Sequence, residues 1–221
     1  MKSSKGKVLL VHRSSGLVKN ASTIDQHLSS FIKYIDAPIF SIDTAFNSNS
    51  KLIKKLSRND FSHIILHYSL FGYQPFGIPK FLFDFLQNLS GKKIAFFQDE
   101  NQSCLERYRY INELGIDTIF SILHVNYHKE TYLDNSNCKE VFSTLTGYVD
   151  EDFIVSSQKW VKDYKSRTVD VGYRARPLPI YLGKGGKEKT EIAEKFLKFS
   201  SFRLTEIINS SGLLLKSISK E

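Results

Sequence analysis

Lys92-Lys93-Ile94-Ala95-Phe96-Phe97-Gln98-Asp99-Glu100-Asn101-Gln102 decides how the whole chain is read. Two cations lead into four apolar residues, and the run stops at an amide and two carboxylates. A short apolar run between turn-prone Gly91 and polar Gln98 predicts a strand buried on both faces of a parallel sheet, since such a strand keeps no polar side. Its carboxyl end delivers Gln98, Asp99 and Glu100 to one rim. Ligands of open α/β sheets bind at that rim, where strand ends and helix N-termini converge.

Similar units lie on either side of this strand. Residues 7–13 predict a first strand, and 23–35 an amphipathic helix with Ile24, Leu28, Phe31, Ile32 and Ile35 at helical spacing. A second strand over 39–42 is followed by a helix capped at Asn47-Ser48-Asn49 and running through Leu56. Residues 62–68 predict a third strand, and Pro79 suits the first turn of a helix ending near Leu89. Beyond the opening strand come a helix over 104–114 with Gly115 at its C-cap, a strand over 117–123, a helix over 126–133 and a strand over 141–145. This alternation predicts an α/β fold: a Rossmann-like, open parallel sheet of about six strands with helices on both faces.

The pattern changes after the first domain, 1–150. Residues 151–168, with the single Trp160, read as a helix or linker, and 169–221 as the start of a second domain. There a strand over 169–174 and an amphipathic helix over 187–199 make about one unit, so the second domain is expected to be incomplete. Leu204, Ile207, Ile208, Leu213, Leu214 and Leu215 need something to pack on.

Thirty-one Lys and Arg against twenty-three Asp and Glu give a net charge of +8 in 221 residues. That balance suits an anionic partner, or equally a solvated lysine-rich surface. The cations are scattered and form no basic tail, and a nucleic-acid partner would rest on charge alone. Cys104 and Cys138 have no metal-ligand spacing, and the histidines form no H-E-x-x-H arrangement, so neither disulfide nor metal is expected. A reducing, cytoplasmic setting follows from the same cysteine usage. The run 8–11 is too short for a signal-peptide core, and no stretch approaches a membrane span.

Several residues could carry chemistry. Gln98, Asp99 and Glu100 can bind hydroxyls or supply a general base, and equally Asp99 or Glu100 can cap the following helix. His12 and the pair His67-Tyr68 end neighbouring strands and reach the same rim, where a histidine is a base or an ordinary hydrogen-bonded side chain. Residues 182–187, Leu-Gly-Lys-Gly-Gly-Lys, form a glycine-rich basic loop before a helix, and Arg174 and Arg176 upstream add two guanidiniums suited to a diphosphate.

Together, Phe97-Gln98-Asp99-Glu100, Glu113-Leu114-Gly115-Ile116-Asp117, Leu145-Thr146-Gly147-Tyr148-Val149 and Val171-Gly172-Tyr173-Arg174-Ala175-Arg176-Pro177-Leu178-Pro179 with Tyr181-Leu182-Gly183 resemble bacterial glycosyltransferases of surface-polysaccharide clusters. These are similar to the GT-B class, two Rossmann-like domains facing across a cleft. The resemblance implies transfer of a sugar from a nucleotide-sugar substrate, without a further cofactor, to a glycan or lipid-linked acceptor. It implies an acceptor domain up to Val149, with Asp99, Glu100 and His12 as base candidates and Gln98, His67, Tyr68, Gly147 and Tyr148 around the acceptor. Arg174, Arg176 and Lys184 would meet the donor diphosphate. Gly185 departs from the family's version of that loop, and the family's remaining donor residues have no counterpart past Phe199. The expectation is therefore a truncated enzyme that works with a separate subunit supplying the donor domain, at the inner membrane face. The competing expectation is a non-catalytic binding module.

Overall fold

The computed structural model describes residues 6–14, 22–46, 50–72, 75–145, 148–167, 173–175, 183–199, 206–209 and 214–216. The chain divides into two compact units, Met1–Phe153 and Ile154–Glu221.

The first unit holds strands β1 (Lys7–His12), β2 (Ile39–Asp43), β3 (Phe61–Leu66), β4 (Lys92–Phe96), β5 (Thr118–Ser121) and β6 (Glu140–Ser143). They form one sheet in the order β2-β1-β3-β4-β5-β6, and every neighbouring pair is parallel. This is the open α/β sheet that the sequence predicts. Helices α1 (Ser22–Tyr34), α2 (Ser50–Leu56), α3 (Lys80–Gln87) and α4 (Cys104–Leu114) make the crossovers, and α5 (Glu151–Ser157) follows β6.

Alternate residues of each strand supply two separate cores, as a pleated strand requires. On one face Leu9, Val11, Ile64, Leu66, Ala95 and Ile119 pack with Leu56, Leu82, Leu86, Ile111 and Leu114 from α2, α3 and α4. On the other, Val8, Leu10 and Ile65 pack under Leu28 and Phe31 of α1 and Ile35 just beyond it, with Phe96 beside them. Phe96, Phe120 and Phe142 are register partners on β4, β5 and β6 and stack at 4.7 and 5.6 Å between ring centroids. Such pairs add roughly 0.5–1.5 kcal/mol each beyond the area they bury.

Two glycines have a demonstrable reason. Gly115 closes α4 with φ 66°, and Ile116 N–H reaches back to Ile111 O at 2.9 Å, as a left-handed C-cap does. Gly91 opens β4 where a Cβ would lie 2.2 Å from Phe61 O. Only a bare backbone can come so close.

Several local expectations are corrected. The helix expected over 126–133 is a 3-10 turn, Val125–Tyr127, followed by a π-helical stretch, Lys129–Leu133. His124 accepts from Asn126 N–H, and buried His128 bonds Leu123 O and Ser143 Oγ, so side chains take over bonds that a regular helix would make. Ile32, read on the apolar stripe of α1, is 65% exposed.

The second unit holds β7 (Tyr173–Ala175), α6 (Gly183–Phe199), β8 (Glu206–Asn209) and β9 (Leu214–Lys216). β7 and β8 pair in parallel and β8 and β9 antiparallel, so three strands stand where the sequence reading counted one. The apolar residues Ile207, Ile208, Leu214 and Leu215 lie in this sheet. The glycine-rich segment expected as a loop is helical from Gly183 onward. Lys184–Glu188 and Lys187–Glu191, four residues apart, support those first turns. Among the described residues, no helix is long and apolar enough to cross a membrane.

Candidate functional site

The carboxyl ends of β1, β3 and β4 bring two groups of side chains to one rim. The first follows β4. Phe97 is buried between Phe71 and Tyr132, and the Arg107 guanidinium lies 4.9 Å over its ring. Arg107 is itself buried; its Nη2 donates to Gln98 O at 3.4 Å, and its Nε has no partner among the described residues. Asp99 then turns into the left-handed region at φ 50°, and Ser103 does so again at φ 54° before α4. Left-handed backbone is disfavoured for residues with a Cβ, and such strain collects at functional sites when its surroundings enforce it.

Glu100 does the enforcing. Its carboxylate is buried and accepts from Ser121 Oγ at 2.6 Å, from Ile122 N–H at 3.0 Å and from the Tyr132 hydroxyl. Burial, then the adjacent Glu100 charge and hydrogen bond, push the Tyr132 hydroxyl far above the ordinary tyrosine range, so it remains a donor. The loop after β4 is thereby tied to the loop after β5. Between these ties the Asp99 side chain is exposed. Glu100, a base candidate in the sequence, sits in the interior with three donors around it, a geometry that suits an anchor. Gln98 is half-buried, with its main-chain oxygen on Arg107.

The second group gathers under the N-terminal half of α1. His67, after β3, is fully buried, and its Nε2 lies 3.0 Å from His27 Nδ1. Its Nδ1 accepts from Ser69 N–H at 3.1 Å and faces Ser69 Oγ at 2.9 Å. Burial, reinforced by His27 and His12, holds its pKa down to about 2, so the ring is neutral. Tyr68 stacks on His27 at 5.5 Å, and Phe31 and Phe96 enclose the same ring. Burial raises the Tyr68 pKa, and a hydrogen bond with Thr23 works the other way. Burial also lowers the His27 pKa.

His12 ends β1 with Nε2 at 3.0 Å from Ser41 Oγ, while its buried Nδ1 has no partner among the described residues. Burial lowers its pKa against the pull of Asp43 and Asp25. Thr44, which follows β2 and bonds His12 O through its N–H, also keeps a buried hydroxyl without a partner among the described residues. Burial works against the Asp43 carboxylate, but hydrogen bonds from Ser14 and Ala45 outweigh it and keep its pKa low.

The structure does not bring every candidate to this rim. Tyr148 meets Tyr34 hydroxyl to hydroxyl at 3.0 Å. Tyr34 lies seven residues beyond His27 on α1, about 10 Å at the helical rise. Glu151 and Lys33 complete that separate cluster. Lys184 is exposed in α6, 3.6 Å from Glu188. Arg174 lies on β7, in the second unit. Gly147 and Arg176 lie outside the described residues.

His27, Arg107, Ser121 and Tyr132 were not singled out in the sequence. His27 had a signal, because 24, 27, 28, 31 and 35 share one helical face. The other three are recognisable only once Glu100 is known to point inward.

A cavity of about 420 Å³ opens at the opposite, amino end of the sheet, lined by Ser90, Lys92, Asp117, Lys139 and Glu140. Its cations already pair with its carboxylates, Lys92 with Glu140 at 3.2 Å and Lys139 with Asp117 at 2.6 Å. Among the described residues no group of three His, Cys, Asp or Glu is placed to hold a metal ion. Compared with family models, with curated proteins and with solved structures, the chain matches none of them.

Proposed function

We propose that the chain is a glycosyltransferase, or the acceptor-holding half of one, moving a sugar from a nucleotide-sugar to a glycan or lipid-linked acceptor. The observation that carries the reading is Asp99: an exposed carboxylate on left-handed backbone at the rim, held between buried Phe97 and anchored Glu100. In the reaction an acceptor hydroxyl oxygen bonds the anomeric carbon and its proton passes to Asp99. The bond from that carbon to the diphosphate oxygen breaks, and the nucleoside diphosphate leaves with the electron pair. Glu100 positions the base, and His12 and Tyr68 line the acceptor side. Arg174, Arg176 and Lys184 remain the candidates for binding a donor diphosphate. The chain then works in the cytoplasm, at the inner membrane face when the acceptor is lipid-linked.

Calorimetric titration of the chain with UDP and GDP tests this. Binding of either nucleotide that is lost in the double variant Arg174→Ala, Arg176→Ala is the expected result. Binding of saccharide with no nucleotide binding would replace the transferase with a binding module.

A further inference from the structure

A chain of donors of one polarity runs through the histidine pair. Arg13 N–H donates to Ser69 Oγ at 3.0 Å. Ser69 then faces His67 Nδ1 twice, through its hydroxyl at 2.9 Å and its backbone N–H at 3.1 Å. A backbone N–H can only donate, so His67 Nδ1 must carry the lone pair. In a neutral ring the proton is then on Nε2, which lies 3.0 Å from His27 Nδ1. His27 Nδ1 must accept in turn, which leaves the His27 proton on Nε2. The opposite tautomers would set an Nδ1–H of His67 against the Ser69 amide. Each link polarises the next, so the arrangement is reinforced along its length.

We propose that Ser69 and His67 fix His27 as an Nε2–H donor at the carboxyl rim, where it holds an oxygen of the bound ligand, a hydroxyl or a phosphoryl group. His27 is thereby a ligand-binding donor and not the base: its one lone pair is engaged by His67. His67 is buried and acts only through His27, as a positioning residue. Tyr68, Phe31 and Phe96 hold the His27 ring, and Nε2 has no partner among the described residues. The assignment rests on the rim being the ligand site.

Long-range ¹H–¹⁵N spectra of the full chain labelled at histidine test it, with His27→Gln identifying the His27 signals. Neutral Nε2–H tautomers of His27 and His67 at pH 7.5 are expected. In His67→Phe the donor to His27 is lost and His27 should average between tautomers, while His67→Gln, whose amide still donates, should restore the wild-type pattern. A His27 that is charged or Nδ1-protonated in the wild type, or unchanged in His67→Phe, overturns the relay. If neither phenylalanine nor glutamine at position 67 folds, the wild-type spectrum alone decides. Titration with inorganic phosphate and with methyl glucoside then reads the ligand class. A shift of the His27 Nε2–H signal by phosphate marks a phosphoryl partner and by the glucoside a hydroxyl partner, and a shift by neither overturns the ligand-holding role. Nucleotide calorimetry fails or succeeds independently, so loss of this donor role and loss of the transferase reading are told apart.

Discussion

Asp99 pays a conformational penalty that glycine would not, since residues with a Cβ populate the left-handed region poorly. Asp99→Gly should therefore leave the fold intact and raise the melting temperature by a few degrees, corresponding to about 1 kcal/mol, while abolishing transfer; calorimetric melting and a turnover assay read the two effects. Glu100 predicts the reverse. Glutamine in its place would turn an NH₂ donor towards the Ser121, Ile122 and Tyr132 donors, in a buried site. Losing charge-assisted bonds and leaving a donor unmet should cost about 2–3 kcal/mol, read as a fall in the urea midpoint of Glu100→Gln. Both carboxylates were visible in the sequence as one cluster. Which of them faced solvent was not, because period-2 alternation ends with the strand and the left-handed turn at Asp99 resets the direction of the next side chain.

At the scale of an element, α1 is fastened to the sheet by apolar packing together with neutral histidines. The folded pKa of His67 is held down to about 2, and those of His27 and His12 are also lowered. In the unfolded chain these groups titrate near 6.5. Above about 6.5 both states are neutral and the stability is fully present. Below that, the unfolded chain binds protons that the folded one refuses, so stability falls with falling pH, by up to about 1.4 kcal/mol per pH unit for each such histidine. Asp25 and Asp43 moderate the effect at His12. Urea midpoints should drop steadily between pH 7 and pH 5.5, and His67→Phe should flatten the slope; an unchanged midpoint over that range would show the histidines titrating normally in the fold. Elements of this kind were largely legible. Strand runs such as 94–97 and the Gly115 cap announced themselves locally. The π-helical stretch did not: its buried Tyr132 bonds Glu100, 32 residues away in the chain, a contact that no local pattern announces.

On the scale of the whole molecule, both cores of the sheet draw on residues between Val8 and Val141. A fragment of residues 1–153 therefore contains the entire six-stranded sheet and is large enough to bury it. It should unfold in one cooperative urea transition; a broad, non-cooperative transition would show that the first unit depends on the second. The six-stranded parallel order followed from the regular alternation of strand and helix. The second sheet was less legible because its strands β8 and β9 are only four and three residues long and carry no strong alternation. The candidate residues share this division: that Asp99 and Glu100 follow the carboxyl end of β4 was legible from topology, whereas the contact of His67 with His27, 40 residues apart, depends on how α1 packs on the sheet.

Proton removal by Asp99 at that rim is the step on which the proposed sugar transfer depends. Nucleoside diphosphate release, measured with the wild-type chain and with Asp99→Asn on the same sugar-nucleotide and acceptor, tests this directly. The predicted result is a loss of rate of about 100-fold or more with the melting temperature little changed. Equal rates in the two proteins would contradict it.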